Sequence, residues 1–331
     1  FDTKKTKIEN SLKSNTEKHR LVAAYNIENI FDNTKSKKII FVVVPSGKKS
    51  IDLHLTVKNL ASHDDITLNC CNENFVNSNY LAKEFKKSKK NYLSTGISGG
   101  TLGAKNGLAI MVGGEEHTYQ DVLPILKKIA HFDNRKHSVN YFGKNGVGHL
   151  VKTFHNYLEY AEMQLLAEKI VFLRLCLGLT WHEIYEFLFK NTKTILNSYL
   201  LKITIDIIKN IHNDQQFYEN LLPIVDHNNS GLWGLIKSIE AESFVPTLQI
   251  SVMNRVWLKN INSISTYRNI HTNFSNSKKL SYYLRTLNQS YYFSRLSLML
   301  QFIDLIADIN KKNNINIDLG TLQKNWSNGA I

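Results

Sequence analysis

The sequence predicts an α/β segment followed by a large all-helical one, and three observations carry that expectation. Up to about Phe142, short β-rich runs alternate with helical stretches. From Gly146 onward helical periods recur almost everywhere. Between these two textures lies Gly146-Val-Gly-His-Leu-Val-Lys152-Thr-Phe-His155-Asn156-Tyr-Leu-Glu159-Tyr160, which ranks an amine, an imidazole, an amide, a carboxylate and a phenol along one stripe. At about 100° per residue these five share a face, while Leu150, Val151, Phe154, Leu158 and Leu165 fall opposite. A polar stripe that enters a core needs partners or a ligand.

Taken in order, the expected strands are Leu21–Tyr25, Lys38–Val44, Asp65–Asn69, Leu108–Val112 and Ser138–Phe142. Strands spaced by helical stretches imply crossover units and a mostly parallel sheet. Phe41 to Val44 is continuously apolar, as expected of a strand covered on both faces. The loop Gly96-Ile-Ser98-Gly99-Gly100-Thr-Leu-Gly103 has glycines that permit positive φ and close approach of backbone to a ligand. Its consecutive amides suit a carboxylate or phosphate, although an ordinary strand-to-helix turn explains the same glycines. Beyond the polar helix, Ile170 to Leu177 is apolar nearly all round and reads as a helix passing through a core, with Cys176 inside it. Helical periods follow at Leu196–Ile208 and Ser294–Ile306, separated by the turn-rich segment His227–Trp233.

With 331 residues, 43% of them hydrophobic and 21% charged, the chain is a globular protein able to bury one large core or two ordinary ones. A net charge of +13 suits an anionic partner. The basic runs at residues 35–38 and 83–90 lack interleaved aromatic residues, which argues against nucleic acid and leaves a phosphorylated small molecule as the natural user of the field. Three cysteines, Cys70, Cys71 and Cys176, form neither a disulfide framework nor a metal-ligand spacing, so a reducing, cytoplasmic compartment is expected and no metal. No run reaches the length of a membrane span, and no signal peptide is visible.

The three marked segments, in this order and at these separations, resemble the 6-phosphogluconate dehydrogenase family over essentially the whole chain. Gly96-Ile-Ser-Gly-Gly100 is similar to the family's G-V-S-G-G loop, and residues 107–114 to its G-P-S-L-M-P-G-G. The Lys152 helix resembles G-A-G-H-F-V-K-M-V-H-N-G-I-E-Y. Ser230-Gly-Leu-Trp233 is similar to T-G-K-W, and Val245-Pro-Thr-Leu followed by Arg255 to V-P-x-x-x-x-A-V-x-A-R.

The resemblance implies a truncated Rossmann-type NADP-binding domain at 1–143 and an all-α substrate-binding and dimerisation domain at 144–331. It implies NADP-dependent oxidative decarboxylation of 6-phosphogluconate to ribulose 5-phosphate and CO2, a step of the pentose phosphate pathway and of gluconate utilisation, by a homodimer. Lys152 would be the general base and Glu159 the acid that reprotonates the product. Asn156 and His155 would position substrate hydroxyls and the nicotinamide, and Ser98, Gly99 and Gly100 would hold the carboxylate end. Tyr160, Ser230 and Arg255 would grip the sugar phosphate, where a guanidinium fork suits the anion. Asn72 matches an asparagine that touches both cofactor and substrate.

Several positions depart from the family pattern. Asn228 and Leu232 stand where it carries lysines, and Pro45 where a lysine lies near the cofactor. Asn69-Cys70-Cys71-Asn72 replaces D-G-G-N. The arginine that grips the 2′-phosphate is replaced by Thr3, leaving Lys4, with Lys5, to substitute for it. The first strand and G-x-G-x-x-G turn are expected before Phe1, and the family's tail after Ile331, so the isolated chain is expected to be inactive. The alternatives are a degenerate or truncated homologue that acts only as a dimerising scaffold, and a related β-hydroxyacid dehydrogenase.

Overall fold

A computed structural model describes residues 1–14, 21–32, 36–133, 136–213, 217, 225, 229–259 and 279–327. The chain divides into two compact units, one of residues 1–97, 110–130 and 139–150, the other of residues 98–109, 131–138 and 151–331.

In the first unit, after helices α1 (Lys5–Ser14) and α2 (Glu28–Asp32), strands β1 (Ile39–Val42) and β2 (Ile66–Asn69) flank helix α3 (Lys48–Leu60) in sequence. Helix α4 (Phe75–Lys87) then leads to β3 (Asn91–Ser98) and, after short α5 (Gly100–Asn106), which belongs to the second unit, to β4 (Ala109–Gly114). After α6 (Glu116–Ile129) come the antiparallel pair β5 (Phe132–Asp133) and β6 (Lys136–His137), which belong to the second unit, then β7 (Val139–Gly143) of the first. The sheet runs β1-β2-β3-β4-β7, with β1–β2, β2–β3 and β4–β7 parallel, as crossover units require. Ile66, Leu68, Leu93, Ile110, Met111 and Val112 are buried on its central strands, as are Leu81 and Phe85 on α4 and Val122 and Leu126 on α6.

Three expectations about strands need correction. β3 was not expected, because Ser94, Thr95 and Gly96 interrupt its apolar run. The polar groups are tolerated because they bond: Ser94 Oγ donates to the Asn145 carbonyl at 2.8 Å and accepts from the Gly148 amide at 3.1 Å. Residues 21–25 form no strand; Leu21, Val22 and Tyr25 are exposed and only Ala24 is buried. The run Phe41–Val44 is not covered on both faces: Phe41 on β1, the end strand of the sheet among the described residues, is 40% exposed, and Val43 beyond it 72%.

In the second unit, the described residues past Gly146 are helical: α7 (Val147–Val171), a π-helical turn at Phe172–Cys176, α8 (Trp181–Asn191), α9 (Tyr199–Asn213), α10 (Ser230–Glu240), α11 (Pro246–Lys259), α12 (Leu280–Asn313) and α13 (Leu319–Trp326). The first turn of α7 belongs to the first unit and the rest to the second. Thr180 and Glu183 close a reciprocal capping box at the start of α8, and α8 packs on α9 through Ile184, Leu188, Leu201, Ile205 and Ile208. Helices α10, α11 and α12 pack against one another.

The apolar segment 170–177 is not a core helix. The π turn and left-handed Gly178 end the helix there; Leu173 is buried, whereas Val171 is 52% and Leu175 62% exposed, and Cys176 is half-buried. Asn228, expected at a lysine position, lies outside the described residues.

Candidate functional site

Helix α7 carries the site, and its polar stripe is buried rather than solvated. His155, Asn156 and Tyr160 are buried, with Lys152 and Glu159 half-buried beside them. The opposite face, with Leu150, Val151, Phe154 and Leu158, packs as the sequence pattern requires. Both faces are therefore covered, and the polar groups answer one another.

His155 is the hub. Its Nδ1 lies 3.4 Å from Lys152 Nζ, 3.1 Å from Asn156 Oδ1 and 3.9 Å from Glu159 Oε2, and its Nε2 lies 3.3 Å from Ser98 Oγ. Ser98 ends β3, and after it the backbone turns through Gly99 at φ 127° and Gly100 at φ 55° into α5. A Cβ on Gly99 would sit 2.9 Å from Gly103 Cα, so the turn needs glycine for space as well as for φ.

Asn156 Nδ2 donates to Ser230 Oγ at 2.7 Å. Ser230 begins α10 behind Asn229, whose left-handed φ of 64° turns the chain into the helix. Gly231 lets α10 approach α7: a Cβ there would meet the Tyr160 ring at 2.4 Å. On the other side of that ring's neighbourhood, Arg255 of α11 stands with Cζ 3.8 Å over the ring centroid and donates to Met163 Sδ at 3.4 Å.

Electrostatics divide the two candidate proton carriers. Burial draws the Lys152 amine down from 10.5 to about 8, against the pull of Glu159. Burial pushes the Glu159 carboxyl up from its ordinary value, opposed by Lys152 and Arg255. One group is thus readied to accept a proton near neutrality and the other to retain one. The cluster presents the amide of Asn156, the hydroxyls of Ser230 and Ser98 and the guanidinium of Arg255 close to these two groups.

The structure brings Ser98, Gly99, Gly100, Lys152, His155, Asn156, Glu159, Tyr160, Ser230 and Arg255 into the second unit. Asn72 and Lys4 belong to the first. Asn72 follows β2, and its Nδ2 is buried with no hydrogen-bond partner among the described residues, so a ligand could use it. The departure at Cys70 and Cys71 is accommodated without positive φ: both side chains are buried, and Cys71 Sγ lies 3.5 Å from Ser50 Oγ and from the Val42 carbonyl. Lys4 is exposed, with its amide bonded to Asp2 Oδ1 at 2.8 Å.

Two contacts escaped the sequence reading. Met163 was legible, one turn beyond Tyr160 on the same helix. Trp326 of α13, which meets the His155 ring at 5.4 Å between centroids, is remote in sequence and carried no signal.

The family model for the 6-phosphogluconate dehydrogenase C-terminal domain matches residues 148–331, and that for the NAD binding domain of 6-phosphogluconate dehydrogenase matches residues 1–143. Among curated relatives, the decarboxylating 6-phosphogluconate dehydrogenase of Buchnera aphidicola is 26% identical over 322 residues, covering 95% of this chain and 68% of its own length. That of Staphylococcus aureus is 29% identical over 315 residues, covering 93% and 66%. The chain thus spans about two thirds of the length of these relatives. Among solved structures, Plasmodium falciparum 6-phosphogluconate dehydrogenase, studied in its apo form and with NADP+ and 6-phosphogluconate, superposes with a TM-score of 0.90. At 24% identity it covers 100% of this chain and 72% of its own, and the likeness is one of fold.

Proposed function

The chain belongs to the 6-phosphogluconate dehydrogenase family, and on that premise we propose that it performs the oxidative decarboxylation of 6-phosphogluconate to ribulose 5-phosphate and CO2 with reduction of NADP. The observation that carries this reading is the opposed tuning of Lys152 and Glu159 on one buried helical stripe.

Lys152, neutral in part near pH 8, takes the proton of the hydroxyl on carbon 3 of the substrate. NADP, when bound, would supply the acceptor for the hydride that leaves that carbon. The resulting β-keto acid loses its carboxylate as CO2, and the ammonium of Lys152 stabilises the enolate oxygen that develops. Glu159, whose carboxyl is pushed up from its ordinary value by burial, delivers a proton to what becomes carbon 1 of the product. His155 and Asn156 orient the hydroxyls, Ser98 with the amides of Gly99 and Gly100 holds the carboxylate end, and Tyr160, Ser230 and Arg255 hold the phosphate. Asn72, whose Nδ2 has no hydrogen-bond partner among the described residues, and Lys4 serve the cofactor.

The domain division proposed is an NADP-binding part at 1–143 and a substrate-binding and dimerising part at 144–331. A homodimer is supported by a stripe of exposed apolar residues on α12, Phe293, Leu296, Leu300 and Ile303, spaced to share one helical face. No helix among the described residues is long and apolar enough to cross a membrane, and a cytoplasmic location fits the free cysteines.

Lys152→Met tests the reading. Turnover should fall by roughly 100-fold to 10,000-fold with folding intact by circular dichroism. A variant that keeps near-normal kcat would remove Lys152 from the chemistry.

A further inference from the structure

The contacts of His155 with Ser98 and Lys152, at 3.3 and 3.4 Å, are at the long end of hydrogen bonding, so they depend on the orientation of the imidazole. Trp326 abuts that ring edge-to-face, with centroids 5.4 Å apart and planes at 88°. Trp326 is itself fixed: Phe302 of α12 lies 5.6 Å from it between centroids, and its helix is capped by Asp318, whose carboxylate accepts the Thr321 amide at 2.7 Å. The indole is buried, yet its Nε1 has no hydrogen-bond partner among the described residues.

We propose that Trp326 is a positioning residue for the candidate active site: by ring contact alone it holds the His155 imidazole in register with Ser98, Lys152 and Asn156 and keeps water from that side of the cluster. This rests on the reading of Lys152 as the proton acceptor. An indole bonded through its N–H would act by hydrogen bonding; an indole whose donor is unused acts through its flat surface. Phenylalanine therefore replaces it without leaving any partner unsatisfied. Leucine fills part of the volume without the flat wall, and alanine opens a cavity beside the imidazole.

The consequence reaches Lys152 because burial is what holds its amine low. Among the described residues, the charged and titratable groups facing that amine are His155 and Glu159 on α7, with Arg255 on α11 acting upon Glu159. Trp326 brings no charge from α13. A change in the titration of Lys152 on replacing Trp326 thus reports water and geometry, not a lost ion pair.

The test is the pH titration of the Lys152 Nζ resonance by nuclear magnetic resonance in the full chain without substrate, assigned through Lys152→Met. Wild type and Trp326→Phe should both titrate near 8. Trp326→Leu and Trp326→Ala should move the midpoint upward by roughly one unit or more, toward that of a hydrated amine. If alanine unfolds the unit, the phenylalanine and leucine variants decide between them. Leucine titrating with wild type overturns the proposal, and so does phenylalanine shifted as far as leucine, since the N–H would then be the group that matters. Near-normal kcat in Lys152→Met would sink the functional reading and leave this titration interpretable.

Discussion

Glu159→Gln separates two roles proposed for Glu159, which as the acid donates a proton to product and as the carboxylate supplies the charge that supports protonated Lys152. In the wild type an amine titrating near 8 rather than 10.5 is neutral in about one molecule in ten at pH 7, instead of about one in three thousand. Burial thus supplies a gain of roughly 300-fold in competent base, and kcat/KM should climb with pH and level off above about 8. Glutamine removes the carboxylate that opposes this depression, so the acidic limb should move down, by roughly one unit for an opposite charge at this range. The maximal rate should fall in the same variant by roughly 100-fold or more, because no acid remains to protonate the enediol. Initial rates of NADPH formation across the pH range measure both effects at once. A limb that stays put or moves upward would refute the assignment of Lys152 as the titrating base, and an undiminished plateau would refute Glu159 as the acid.

Gly231→Ala places a methyl 2.4 Å from a Tyr160 ring carbon, so the ring must leave its place beneath Arg255; thermal unfolding should show a loss of about 1–3 kcal/mol, and KM for 6-phosphogluconate should rise. Arg295→Met strands Glu162, whose side chain is 1% exposed and held by both oxygens at 3.0 Å, and should cost ~3–5 kcal/mol in urea unfolding, most of it recovered by adding Glu162→Leu. Burial already raises the Glu162 carboxyl and Arg295 opposes that rise. In the single variant the folded-state value therefore lies further above the unfolded one, so the loss should be smallest in acid and grow as pH rises past the ordinary glutamate range.

The helical half and the site helix were legible because their signals are local. Lys152, His155, Asn156, Glu159 and Tyr160 recur at the spacing of a single face, and their chemistry is unusual for a stripe that continues into apolar sequence. The central strand β3 was not legible, since Ser94 and Thr95 look like loop residues until the Asn145 carbonyl and Gly148 amide that satisfy Ser94 are seen. The segment from Ile170 to Leu177 misled for the opposite reason: an all-round apolar pattern says that cover is needed, not which chain provides it. Trp326 shows the remaining limit. Its effect depends on α12 and α13 carrying it to His155, and no spacing in the sequence encodes that approach.

The central claim is that oxidation and decarboxylation occur at one site governed by Lys152. 6-Phosphogluconate labelled in its carboxyl carbon should release one labelled CO2 for each NADPH formed, with Lys152→Met abolishing both in parallel. NADPH formed without labelled CO2 would instead mark a simple β-hydroxyacid dehydrogenase and contradict the account.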